Sequence, residues 1–277
     1  MFQCIGCSST LSAEAKGDVE CRKCGEKYYF SESYLKTYFD QKLFDNYKKD
    51  YLLNKVLNNN GYISYQFLQD GSISLPDRAD VANFRRFLNS NSVGGVILDV
   101  GCGVMARPGY LDFDNNKYEK FIGLDPIEDD SFFGLRLVAC SEFIPLASAA
   151  VDTVVFATSM DHVCNLKKTV EESNRVLKDG GRVVVWMSDR SMTLFEKCVD
   201  WLRRRGSSWK KGYSIDKYYV YPNWTVLGVP PGGVDPFHSF FETPEKIIKV
   251  FLKSGYKLVE LEKKSKMEVF LSFEKVQ

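Results

Sequence analysis

From Val96 onward the hydrophobic positions follow two periods in alternation. The runs VILDV (96–100), KFIGLDP (120–126), LRLVA (135–139), DTVVFAT (152–158) and RVVVWM (182–187) are short, apolar and rich in β-branched residues. Runs of that kind predict buried strands. Between the last two, NLKKTVEESNRVLK (165–178) carries apolar residues at 166, 170, 176 and 177, which is helical spacing, and Asp179-Gly180-Gly181 ends it. Strands alternating with helices, with apolar character on both strand faces, predict an α/β fold built on a parallel sheet covered on both sides. Near the end, Thr243 is placed to cap a helix, Pro244 fits its first turn and Gly255 stops it, and KMEVFLSFEKV (266–276) reads as a last strand.

Ahead of this core, residues 31–56 show apolar positions at 35, 38, 39, 43, 47, 51, 52 and 56. That spacing predicts a helix capped by Ser31 and broken at NNNGY (58–62). A second short helix is expected at 79–89. The chain therefore divides into a small N-terminal module (1–30), a helical connector or cap (31–92) and a core (93–277). The core carries a long insertion at about 191–240, rich in Tyr and Trp, where a lid or acceptor pocket is expected.

The cysteines change the picture at the N-terminus. Cys4-x2-Cys7, thirteen residues, then Cys21-x2-Cys24 is the spacing of two knuckles around one tetrahedral zinc ion. Four thiolates leave no open position, so the expected role is structural. LSAEAKGDVE, between the two pairs, is short enough for a hairpin. The remaining cysteines, Cys102, Cys140, Cys164 and Cys198, stand singly, which fits free thiols in a reducing cytoplasm. Basic and acidic residues nearly cancel, 37 against 36, so a long nucleic-acid track is disfavoured. No apolar run is long enough to span a membrane.

The chemistry gathers at strand ends. Ligands of parallel sheets bind outside the carboxyl ends of the strands, and there lie Asp99, Gly101 and Gly103, with Asp125 22 residues after Gly103. The glycines allow a tight turn and close approach of a ligand, and Asp125 is suited to accept both hydroxyls of a ribose. A dinucleotide site would continue into a helix, but Ala106 stands at the third glycine position and Pro108-Gly109 follow.

Taken together, ILDVGCG, GLDP, SEFIPLASAAVDTVVFATSMDHV and RVLKDGGRVVVW resemble the class I S-adenosylmethionine-dependent methyltransferases, over about residues 93–190 and more weakly to 277. The resemblance implies a Rossmann-like, seven-stranded sheet, mostly parallel with its last strand antiparallel, beside the small zinc ribbon. It implies that Asp99, Gly101 and Gly103 line the methionine end of the cofactor and that Asp125 holds the ribose. The family's Asp-Ala-Glu-like stretch corresponds to Cys140-Ser141-Glu142, so Cys140 replaces the adenine-contacting Asp. Adenine would then meet Ser141, Glu142, Pro126 and Ile127. Ser159 to His162 would face the methyl group and the acceptor. Candidate acid–base residues are His162, Asp161 and His238.

Three functions fit this pattern. The first is methyl transfer to a small-molecule or glycan-type acceptor, at oxygen or carbon. The second is methylation of RNA, with the ribbon and Arg203–Arg205, Lys210 and Lys211 as contacts. The third is a non-catalytic methyltransferase fold that binds a protein partner through its ribbon.

Overall fold

The computed structural model describes residues 2–12, 16–31, 34–37, 78–103, 108–111, 118–125, 134–163, 165–189, 191, 193–195, 198 and 243–276. Ten strands form one sheet. They are β1 (Gly17–Glu20), β2 (Lys27–Phe30), β3 (Tyr34–Thr37), β4 (Gly95–Val100), β5 (Tyr118–Asp125), β6 (Leu135–Val138), β7 (Val151–Ala157), β8 (Leu177–Met187), β9 (Tyr256–Lys263) and β10 (Val269–Lys275), in the order β1-β2-β3-β6-β5-β4-β7-β8-β10-β9. The stretch from β6 to β9 is the seven-stranded Rossmann-like arrangement. β6, β5, β4, β7 and β8 run parallel, and β10 enters antiparallel between β8 and β9. Three helices pack on the sheet: α1 (Ala79–Ser90), α2 (Leu166–Val176) and α3 (Pro244–Lys253).

Alternate strand residues feed two cores. On one face Leu98, Ile122, Val154, Phe156, Val183 and Val185 pack with Val170 of α2 and with Ile247 and Phe251 of α3. On the other, Ile97, Phe121, Val155, Val184 and Phe270 pack with Val81, Phe84, Phe87 and Leu88 of α1. Phe84 is the centre of that second core. Its ring lies 5.4–5.5 Å from those of Tyr110, Trp186 and Phe270. The caps follow from the sequence: Thr243 accepts from Lys246 N at the start of α3, and Asn165 accepts from Lys168 N at the start of α2.

The N-terminal module is not set apart from this sheet. β3 pairs in parallel with β6 through Tyr34–Arg136, Leu35–Leu137 and Lys36–Val138. Phe2 bridges Leu146, and Gln3 N donates to Pro145 O at 3.3 Å. Arg175 of α2 closes the joint: Nη1 donates to Gln3 Oε1 (2.8 Å) and Leu146 O (2.6 Å), and Nη2 to Ile144 O (2.8 Å). Glu172 holds that guanidinium and also accepts from Ile144 N at 3.0 Å.

Three sequence expectations need correction. Tyr34–Thr37 is a strand where helical spacing predicts the first turn of a helix. Leu35 and Thr37 point inward and Tyr34 and Lys36 less so, and the open edge of β6 supplies hydrogen bonds that local spacing cannot foresee. The remainder of that expected helix lies outside the described residues. The hairpin of the ribbon encloses the second knuckle, with Cys21 N bonded to Glu26 O, and does not lie between the cysteine pairs. The helix at 165–178 ends at Val176, and Asp179–Gly181 lies within β8.

Phe84 supplies a test of the second core. Phe84→Ala is expected to lower unfolding stability by about 3–5 kcal/mol, read from denaturant titration. A loss below about 1 kcal/mol would mean that α1 does not anchor that core.

Candidate active site

β4 and β5 are neighbours, and their carboxyl ends stand side by side. The chain leaves β4 through Gly101, which is bonded by its N–H to Leu124 O at 2.7 Å. Gly101 has φ +75°, and a Cβ there would lie 2.3 Å from Ser159 Cβ. Only glycine meets both conditions. Ser159, just past β7, is buried, and its hydroxyl donates to Val100 O. Gly103, also at positive φ, donates its N–H to Asp125 Oδ2 at 2.9 Å. The turn is thus held on one side by the end of β5 and on the other by Ser159.

The charges are unusual. Asp99 is 0% exposed, and the Tyr110 hydroxyl donates to its Oδ2 at 2.5 Å. Its Oδ1 is buried with no hydrogen-bond partner among the described residues. Burial pushes the Asp99 carboxyl up to about 7; the Tyr110 hydrogen bond opposes this, the Asp125 charge adds to it, and the Arg136 charge opposes it. Arg136 is 1% exposed and donates from Nη1 to Gly103 O (2.6 Å) and Cys102 Sγ (3.0 Å). Burial likewise pushes the Cys102 thiol up.

Ser141 and Glu142 lie together and are buried. Ser141 Oγ meets Thr169 Oγ1 at 2.9 Å, and Glu142 Oε1 accepts from Asn165 N at 2.9 Å. Both therefore fasten the start of α2 beside the strand ends. Asp161 is half-buried in a single 3-10 turn, Met160–His162. Pro126 and His238 lie outside the described residues, as does the side chain of His162. Thr158, immediately before Ser159, has φ +57°, a strained value for a β-branched residue.

The model of the family described as a methyltransferase domain matches residues 98–185. That span runs from the turn carrying Asp99 and the glycines, through Asp125 and Ser159, to the middle of β8. Residues 98–185 carry a methyltransferase domain. Two relatives come from Methanocaldococcus jannaschii. The uncharacterized protein MJ1123 is 26% identical over 167 residues, 58% of this chain and 76% of that protein. The uncharacterized protein MJ1252 is 35% identical over 91 residues, 32% of this chain and 35% of that protein. Among solved structures, the 1,6-didemethyltoxoflavin-N1-methyltransferase of Burkholderia thailandensis, solved with S-adenosylhomocysteine, shares the fold. It aligns at a TM-score of 0.53 and 11% identity, over 94% of this chain and 100% of that one.

Outside the methyltransferase domain, the four N-terminal cysteines converge. Their sulfurs all lie within 4.8 Å of one another, with Cys4–Cys24 at 3.4 Å and Cys7–Cys21 at 3.6 Å. Sulfurs bound tetrahedrally to one zinc ion stand about 3.8 Å apart, so the donor set fits that metal in both chemistry and spacing. The Tyr28 hydroxyl donates to Cys4 Sγ at 3.2 Å, and Ser9 Oγ lies 3.1 Å from Cys7 Sγ and 3.2 Å from Cys21 Sγ. Hydroxyls against sulfur are the outer contacts that orient thiolate ligands.

Sequence reading missed Tyr110, Arg136, Thr158 and the Glu172–Arg175 pair. Only Arg136 left a signal, a charge inside the apolar run LRLVA. The Gly101–Ser159 contact generates a prediction. Gly101→Ala is expected to cost at least about 1 kcal/mol of stability from backbone strain alone, and more from the clash. Ser159→Gly in the same chain should recover part of it, a coupling of about 0.5–3 kcal/mol in a double-mutant cycle. Strict additivity would mean that the two residues do not meet.

Proposed function

We propose that this methyltransferase transfers a methyl group directly to a small-molecule or glycan-type acceptor, with the ends of β4 and β5 as its cofactor site. The observation that carries the reading is the pair Asp99 and Asp125, set at adjacent strand ends around a glycine turn. A buried carboxyl oxygen without a hydrogen-bond partner among the described residues, at Asp99 Oδ1, suits the ammonium of an amino-acid moiety. Asp125 then receives the ribose hydroxyls, and the backbone of Gly101–Gly103 lies against the methionine end. Ser141 and Glu142 keep the start of α2 in place where adenine would rest. Near-neutral charge favours a small acceptor over a polyanion.

S-adenosylmethionine supplies an electrophilic methyl carried on a positive sulfur, so the protein's task is alignment. Ser159 and the turn that follows border the acceptor side. When the acceptor is a hydroxyl, a base is needed, and Asp161, His162 and His238 are the candidates. Cys4, Cys7, Cys21 and Cys24 hold one structural zinc ion. Cys102 and Cys198, which stand outside any disulfide, agree with a cytoplasmic setting. Among the described residues no helix is long and apolar enough to cross a membrane.

Calorimetric titration with S-adenosylhomocysteine tests the site. Micromolar binding is expected for the wild type and its loss in Asp125→Ala; no binding by the wild type would sink the reading. The sign of the pH dependence also follows. Asp99 holds its proton up to about pH 7 in the free protein, and a ligand ammonium favours the ionised form. Affinity should therefore rise with pH through about 7, then level off, with proton release on binding. Heats measured in buffers of different ionisation enthalpy detect that proton; uptake would contradict the assignment. Removing metal with a chelator should lower the melting temperature, and one equivalent of zinc should restore it. An unchanged melt would exclude a structural ion.

A further inference from the structure

Three strands place a line of residues across the sheet. Asp99 of β4 is opposite Gly123 of β5, and Gly123 is opposite Arg136 of β6. Residues opposite one another in neighbouring strands share a sheet face. Gly123 has no side chain to put there. Arg136 extends past β5 and reaches the turn that follows β4, at Gly103 O and Cys102 Sγ. The groups around Gly103 are then opposed in sign. Asp125 takes its N–H, and Arg136 takes its carbonyl.

A guanidinium cannot shed its proton in a protein, so Arg136 brings a permanent charge into the interior. That is costly unless opposite charge and hydrogen bonds answer it. Here Asp99 and Asp125 face it. Among the described residues, the Tyr110 hydroxyl and the Cys102 thiol also face Asp99. β3 pairs with β6, which would otherwise be the edge of the sheet, and its Tyr34 sits opposite Arg136. A drier surrounding strengthens every charge interaction made there.

We propose that Arg136 is a positioning residue of the cofactor site, fixing the Gly103 peptide and supplying the positive charge against which Asp99 and Asp125 share that site. This rests on reading the strand ends as the place of the cofactor. In the absence of this charge, two neighbouring carboxyls resist ionising together.

The test is S-adenosylhomocysteine affinity as a function of pH for the wild type, Arg136→Met and Arg136→Lys, each checked for folding by circular dichroism. Arg136→Met should move the midpoint of the affinity profile upward by about one pH unit or more, with affinity at neutral pH falling about tenfold or more and recovering as pH rises. Arg136→Lys keeps the charge and loses the planar fork, so its midpoint should stay near that of the wild type while affinity drops at every pH. Equal loss in both variants at all pH values, with no change of midpoint, would reduce Arg136 to a structural residue and overturn the proposal. Should the Met variant fail to fold, Arg136→Gln, which also removes the charge, takes its place: an upward midpoint shift there upholds the proposal, and an unshifted midpoint overturns it. Failure of the wild type itself to bind at any pH would overturn the cofactor reading, and the proposal with it.

Discussion

Charge buried at the carboxyl end of a parallel strand has to be answered from close by, because water is absent and each lone carboxylate is expensive. Asp99 is answered by the Tyr110 hydroxyl and by Arg136, which reaches past Gly123 from two strands away. Asp125 is answered by the Gly103 N–H. The glycine turn is held in shape by these same contacts, and Ser159 closes its other side. The proposed cofactor site and the core are therefore one construction. The residues that would receive the methyl donor also satisfy the ends of β4 and β5.

The N-terminal module has the opposite difficulty. Thirty residues bury little apolar surface, and a metal held by the cluster of four thiols would compensate. Its free strand edge is a second liability, as is the outer edge of β6. Joining β3 to β6 removes both at once. Arg175 and Glu172 then tie the first residues of the chain to the loop at 144–146, which runs from Ser141 and Glu142. The module is linked to the sheet edge, to α2 and to the surroundings of the proposed cofactor site through hydrogen bonds that can each be named.

Much of this was legible in the sequence. Apolar runs marked five strands of the core because burial on both faces demands continuous hydrophobicity. Caps at Asn165 or Thr243 are local chemistry, and Thr243 with Pro244 could be read directly. Asp99, the two glycines and Asp125 stood out since a turn at a strand end restricts residue type. The paired cysteines did so because metal geometry restricts spacing.

Other features had no local trace. Tyr34–Thr37 carries helical spacing and becomes a strand, since the unpaired backbone of β6 outweighs a weak helical preference. Tyr110 finds Asp99, and Glu172 finds Arg175 and Ile144, only after the chain has closed on itself. Sequence alone determined the strands and helices of the core, the cysteine spacing and the residue types at the strand ends, because each follows from neighbours along the chain. Only the tertiary structure decided that the N-terminal module completes the sheet and that Arg136 stands in line with Asp99. Both depend on register between strands far apart in sequence, where backbone pairing and burial of charge settle what local pattern leaves open.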